Sequence, residues 1–170
     1  MMRGAFVLAT AAALAACQPA GPPAAPGQAA PSAASGGGIQ LGLSWQTQVS
    51  GAGMALILRN ADGSRVAQLA CARDPAVMTV TVDQFRAVGS EERLSFGVDD
   101  EPFVFVANPA ASGARGVEAR APISEDLLRR LDGATTISAS YGSQRLGPYM
   151  PPDPENARRF AAACRQIATR

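Results

Sequence analysis

From Ile39 onward the chain alternates apolar with polar residues: Ile39, Leu41, Leu43 and Trp45 fall on one face, and Gln40, Gly42, Ser44 and Gln46 on the other. A period of two sends one row of side chains into a core and the other into solvent, so this segment reads as a half-buried β-strand and not as a helix. The period returns at Met54, Leu56 and Leu58. Asn60-Ala61-Asp62-Gly63 then supplies turn chemistry, and residues 66–72 form the second arm of a hairpin. Further strands are expected at 77–85, 93–98, 103–107, 116–121 and 135–141, with Asp99-Asp100-Glu101-Pro102 as a tight turn between two of them. Short strands separated by turns specify a mainly β domain, α+β in class, built as an antiparallel sandwich or a strongly bent sheet.

Two segments break that period and carry helix signals. Ser124-Glu125-Asp126-Leu127-Leu128-Arg129-Arg130-Leu131 opens on a capping residue and acids, closes on arginines, and runs into Asp132-Gly133, which marks a short connecting helix. Near the C-terminus Asp153 is a cap and Pro154 occupies the first helical position. Ala157, Phe160, Ala161, Cys164 and Ile167 then recur at spacings of three and four. This second helix is expected to dock on the sheet through Phe160 and Cys164, with Arg158, Arg159 and Arg165 on its far side.

The residues before Ile39 are of another kind. Arg3 precedes an apolar run from Phe6 to Leu14, which has the length of an export signal and falls far short of the roughly 20 residues of a membrane span. Leu14-Ala15-Ala16-Cys17 resembles the bacterial lipobox, which implies cleavage before Cys17 and acylation of its thiol. Gln18 after the cysteine, by resemblance to lipoprotein sorting, implies the outer membrane. Residues 18–38 contain only Ala, Pro, Gly, Ser and Gln and have nothing to bury, so they read as a disordered tether of roughly 25 Å average span. The expected organisation is a signal peptide at 1–16, a lipidated cysteine and tether at 17–38, and a periplasmic β-rich domain at 39–170. With Cys17 taken by lipid, Cys71 and Cys164 remain in an oxidising compartment, one on a strand and one on the buried helix stripe, and are expected to form a structural disulfide.

A lipid-anchored β-rich domain with one mid-chain strand cysteine and a last helix reading Ala157-Arg158-Arg159-Phe160-Ala161-Ala162-Ala163-Cys164 resembles periplasmic proteins of the invasion-associated locus B type. It also resembles the accessory lipoprotein linked to type VI secretion. Those resemblances imply a noncatalytic envelope domain with a binding or accessory role. Ser112-Gly113-Ala114-Arg115 resembles part of the motif of membrane-bound inhibitors of C-type lysozyme, which implies the alternative of an inhibitor of a lysozyme-type cell-wall hydrolase. The chain departs from that pattern at Gly116, where an aromatic is expected, and in having no lysine.

All 15 basic residues are arginine and there is no histidine, so the commonest general base, the commonest metal ligand and any Schiff-base nucleophile are missing. Fifteen basic against 14 acidic residues give no basic face for a nucleic-acid backbone. The acids at Glu91-Glu92 and Asp99-Asp100-Glu101 lie in turn-like segments, where carboxylates are solvated. The sequence therefore reads as no enzyme, without cofactor, metal or nucleic-acid partner, and attached to a membrane by its lipid. The expected contact surface is a stiff loop over 142–152 carrying Arg145, Leu146, Tyr149 and Met150. Its partner is an envelope protein or glycan, and packing of Tyr149 and Met150 on the last helix is the alternative.

Overall fold

A computed structural model of the chain describes residues 42–109 and 116–169. Cys17, Ile39, Leu41 and Ser112-Gly113-Ala114-Arg115 lie outside the described residues. Nine described strands form one antiparallel sheet: β1 (Ser44–Ser50), β2 (Gly53–Arg59), β3 (Arg65–Arg73), β4 (Ala76–Val82), β5 (Arg93–Val98), β6 (Glu101–Ala107), β7 (Val117–Ala121), β8 (Ile137–Tyr141) and β9 (Gln144–Tyr149). Helix α1 (Glu125–Leu131) joins β7 to β8, and α2 (Pro154–Ala168) follows β9. Strand order across the sheet is β1-β2-β3-β4-β7-β6-β5-β8-β9.

The fold is therefore mainly β, and of the two expected forms the sheet is single and bent. Leu58 on β2 and Leu146 on β9 belong to strands near opposite ends of that order, yet both line one internal space. The alternation explains which face turns inward. Leu58, Ala67, Val82 and Val117 face one another across β2, β3, β4 and β7, all buried, as do Leu56, Leu69, Val80 and Ala119 in the next row. The outer row Gln48, Ala55, Ala70, Thr79 and Arg120 is polar or small.

Helix α2 packs against β2 and β3 with Ala157, Phe160, Ala161, Cys164 and Ile167 buried, and its N-terminus is capped by Asp153, whose carboxylate accepts from the Asn156 N–H at 2.9 Å. Cys164 is bonded to Cys71, joining helix to sheet. The arginines of α2 do not simply face water: Arg165 forms a two-pronged pair with Glu125 and Arg158 reaches Asp132, both on or beside α1. Ser124 caps α1 by accepting from the Leu127 N–H.

The connection from β4 to β5 passes over the end of the sheet and is held by buried Tyr141. Its hydroxyl donates to the Glu91 carbonyl at 2.8 Å and accepts from the Val88 N–H at 3.3 Å, while Gln144 bonds both the N–H and the carbonyl of Arg86. Phe85, expected within a strand, lies in this connection: β4 ends at Val82, and the Phe85 N–H turns back to the Val82 carbonyl.

The turn expected over four residues at 99–102 is shorter. Only Asp99 and Asp100 are outside strands, and Val98 pairs with Glu101. Asp99 takes φ of +53°, a conformation Asp tolerates better than most residues. Its Oδ1 accepts from Thr135 N, Thr135 Oγ1 and Thr136 N at 2.7–2.9 Å, which delays β8 to Ile137. These bonds, the Thr135 hydroxyl first, hold the Asp99 carboxyl below its ordinary 3.8. A lowered folded-state value contributes stability above the unfolded value and loses it as pH falls through the folded one. Asp62, through Ser64, and Glu125, through Arg165, are lowered with the same sign. Urea midpoints should therefore drop as pH is taken below 3.8, and drop less steeply in Asp99→Asn. Parallel profiles for the two proteins would contradict this.

The segment 142–152, expected as a loop, contains strand β9, which pairs with β8 through Ile137–Tyr149 and Tyr141–Gln144. Gly147 and Pro148 hid it, since a proline argues against a strand except at a sheet edge, and β9 is an edge. At Gly147, φ is +85° and an added Cβ would lie 2.6 Å from the Ile137 carbonyl oxygen, so the kink there needs glycine. The first strand also differs. It begins at Ser44, because Gly42 turns the chain at φ +98° against Ala61.

Candidate functional site

The bend brings the two edge strands of the sheet together at one end. Trp45 on β1 donates its indole Nε1–H to the Met150 carbonyl, just past β9, at 2.8 Å and across 105 residues of sequence. Around that bond lies a cleft of about 220 Å³ lined by Leu43, Trp45, Leu58, Tyr149, Met150, Pro151 and Asp153. Leu43, Trp45 and Tyr149 are half-buried, and Met150 is 70% exposed at the rim. Beneath it, Leu58, Ala67, Val82, Phe96, Ile137 and Leu146 leave a space of only about 10 Å³, no more than one water would fill, so the cleft has a packed floor.

The side chains lining this cleft are apolar apart from the Tyr149 hydroxyl and Asp153, while polar and apolar atoms share its exposed surface about equally. The indole N–H is consumed by Met150, which leaves the ring itself for contact. The Tyr149 hydroxyl has no hydrogen-bond partner among the described residues. Asp153 lines the cleft, but its carboxylate is committed to capping α2, and the Asn156 N–H holds it below the ordinary carboxylate value.

The four residues singled out in sequence do not form one patch: alternation separates Arg145 from Leu146, and the register shift between Ile137 and Ala139 returns Tyr149 to the inner side, opposite Ile137. Tyr149 and Met150 line the cleft, and Leu146 points into the core below it. Arg145 lies on the outer face, where the pairing sets Val104, Ser95, Ser140 and Arg145 in one row across β6, β5, β8 and β9. Its guanidinium donates to the Gly142 and Gln144 carbonyls at 2.8 and 3.0 Å and borders a shallow trough floored by Ser95, Gly97, Ser138 and Ser140. Trp45 was read only as a core-facing strand residue. Its position at the start of an edge strand was the available signal, since an edge residue is covered on one side alone.

Three acids of the two clusters have structural partners. Glu91 accepts from the Arg93 N–H, Asp99 binds Thr135 and Thr136, and Glu101 stands 3.8 Å from Arg130. Among the described residues no three His, Cys, Asp or Glu side chains group together, and no helix is long and apolar enough to cross a membrane.

No family model and no curated protein matches the chain. Among solved structures the chain is similar to the crystal structure of invasion associated protein B from Bartonella henselae, with 12% sequence identity, 75% of this chain and 94% of that chain covered, and a TM-score of 0.48.

Proposed function

We propose that this chain is a noncatalytic binding domain of the bacterial envelope, held at the outer membrane through lipid on Cys17 and facing the periplasm, with the Trp45–Tyr149–Met150 cleft as its contact site. The cleft is the observation that carries the reading. It joins two half-buried aromatic rings, an exposed methionine and an unpartnered phenol over a rigid floor. Aromatic rings with an apolar body and a polar tip suit the face and the hydroxyls of a sugar ring, and an envelope glycan is the ligand class that fits. The noncatalytic part is supported by Glu91 and Asp99 being tied to turns, Asp153 to a helix cap and Glu101 to an ion pair, and by a sequence without histidine or lysine.

Trp45 is the single tryptophan of the chain, so its emission reports on the cleft alone. Titration of the purified full-length chain with soluble peptidoglycan fragments is expected to give a saturable emission change. The mass of the same preparation set against Cys17→Ser reads the acyl anchor.

A further inference from the structure

Across most of the sheet the ladders run the length of the strands, but the one between β6 and β7 contains only Val106–Arg120 and Ala107–Ala119. The hydrogen-bond phase explains why. The Ala107 N–H bonds the Glu92 carbonyl on the β5 side, and the Asn108 N–H bonds the Glu118 carbonyl on the β7 side. Alternation then turns the main-chain groups of 103 and 105 toward β5, and those of 102, 104 and 106 toward β7. Extending the β6–β7 register two residues past Val106–Arg120 sets Val104 opposite Pro122, which has no N–H to give. The ladder stops there. The strands part around a cleft of about 270 Å³ lined by Phe103, Val104, Phe105, Ile123 and Leu127 among others.

The result is an interrupted seam inside the sheet. Among the described residues the Val104 N–H and carbonyl, at the cleft, and the Pro102 carbonyl beyond its edge meet no backbone partner. Val104 and Val106 are 54% and 65% exposed beside it. We infer that this seam is a binding site for one extended peptide segment of a partner protein, which enters between Val104 and Pro122, antiparallel to β6. Backbone complementarity identifies the occupant: an extended main chain supplies a donor and an acceptor to Val104 and, at the same spacing, side chains to the cleft beside Phe103 and Phe105. Residues of the peptide opposite Phe103 and Phe105 enter the apolar cleft, and the residue opposite Val104 stays outside with the two valines. The inference is independent of the aromatic cleft and of its ligand.

The probe is the synthetic heptapeptide Thr-Val-Thr-Val-Thr-Val-Thr, made unmodified, N-methylated at its threonines, or N-methylated at its valines. Hydrogen exchange of the segment containing Val104 is followed in the full-length chain. With valines in the cleft, the threonine N–H groups face β6. The unmodified and valine-methylated peptides should slow exchange at Val104 by about tenfold or more, and the threonine-methylated peptide should not. In Pro122→Val the new N–H can bond the Val104 carbonyl and extend the ladder, which brings the residue-122 carbonyl to the Val104 N–H, so Val104 should be protected without peptide and the peptide should add nothing. The inference is overturned if no peptide slows exchange or if both methylated peptides act alike. Protection that rises with protein concentration alone would also overturn it, in favour of a second copy of this chain at the seam.

Discussion

Reduction of the Cys71–Cys164 disulfide should lower the melting temperature by about 10 to 25 °C for a domain of this size. The bond closes a loop of 93 residues, and in the chain-entropy picture such a cross-link stabilises by about 4 to 5 kcal/mol, because the unfolded ensemble loses the freedom to separate its ends. Its native partners, Met54 and Met78 beside Cys71 in the sheet and Phe160 and Ile167 along α2, remain in place after reduction. The loss should therefore appear as a shift in midpoint with the native fold kept. Both cysteines are buried, so reduction must be done in denaturant before refolding. Comparison of the reduced, alkylation-free protein with Cys71→Ala/Cys164→Ala gives the same quantity without a reductant, and a shift of less than a few degrees in both would contradict the staple.

Phe160→Ala should cost about 3 to 5 kcal/mol by chemical denaturation. Phe160 is fully buried on the face of α2 that meets β2 and β3, with Ala157 and Ala161 as its neighbours on the helix. Those alanines are too small to move into the space, so the cavity persists and adds to the lost transfer energy. Unlike reduction of the disulfide, this change acts on the folded state. Phe160 and Cys164 lie one helical turn apart on α2, so the two costs are not expected to add in full. A cost below about 1 kcal/mol would mean that the helix does not depend on this side chain for docking.

Much of this fold was legible because local chemistry and period agreed. Asp62-Gly63 marks the β2–β3 hairpin, where Gly63 takes φ of +84° and the Asp62 carboxylate accepts from the Ser64 N–H. Ser124 and Asp153 mark both helix starts. The helical stripe and the phase of Cys71 on its strand were enough to join the two cysteines. What escaped depended on relations across the sheet. Strand β9 was concealed by Gly147-Pro148, which an edge strand accommodates. The binding residues were grouped by nearness in sequence, while alternation sent Arg145 to the outer face and Leu146 to the core. The bond from Trp45 to Met150 spans 105 residues and follows only from the bend of the sheet. Pro122 is likewise an ordinary loop proline in sequence and becomes informative only when the register places it against Val104.

The central claim, that the cleft between the sheet edges binds an envelope glycan, is tested most directly by the emission of Trp45 in the full-length protein titrated with soluble peptidoglycan fragments, measured for the wild type and for Tyr149→Ala. A saturable change is expected in the wild type and is lost or strongly weakened in the variant, while Arg145→Ala, altered on the outer face, titrates like the wild type. No saturable change in the wild type, or a titration that Tyr149→Ala leaves intact, would contradict it.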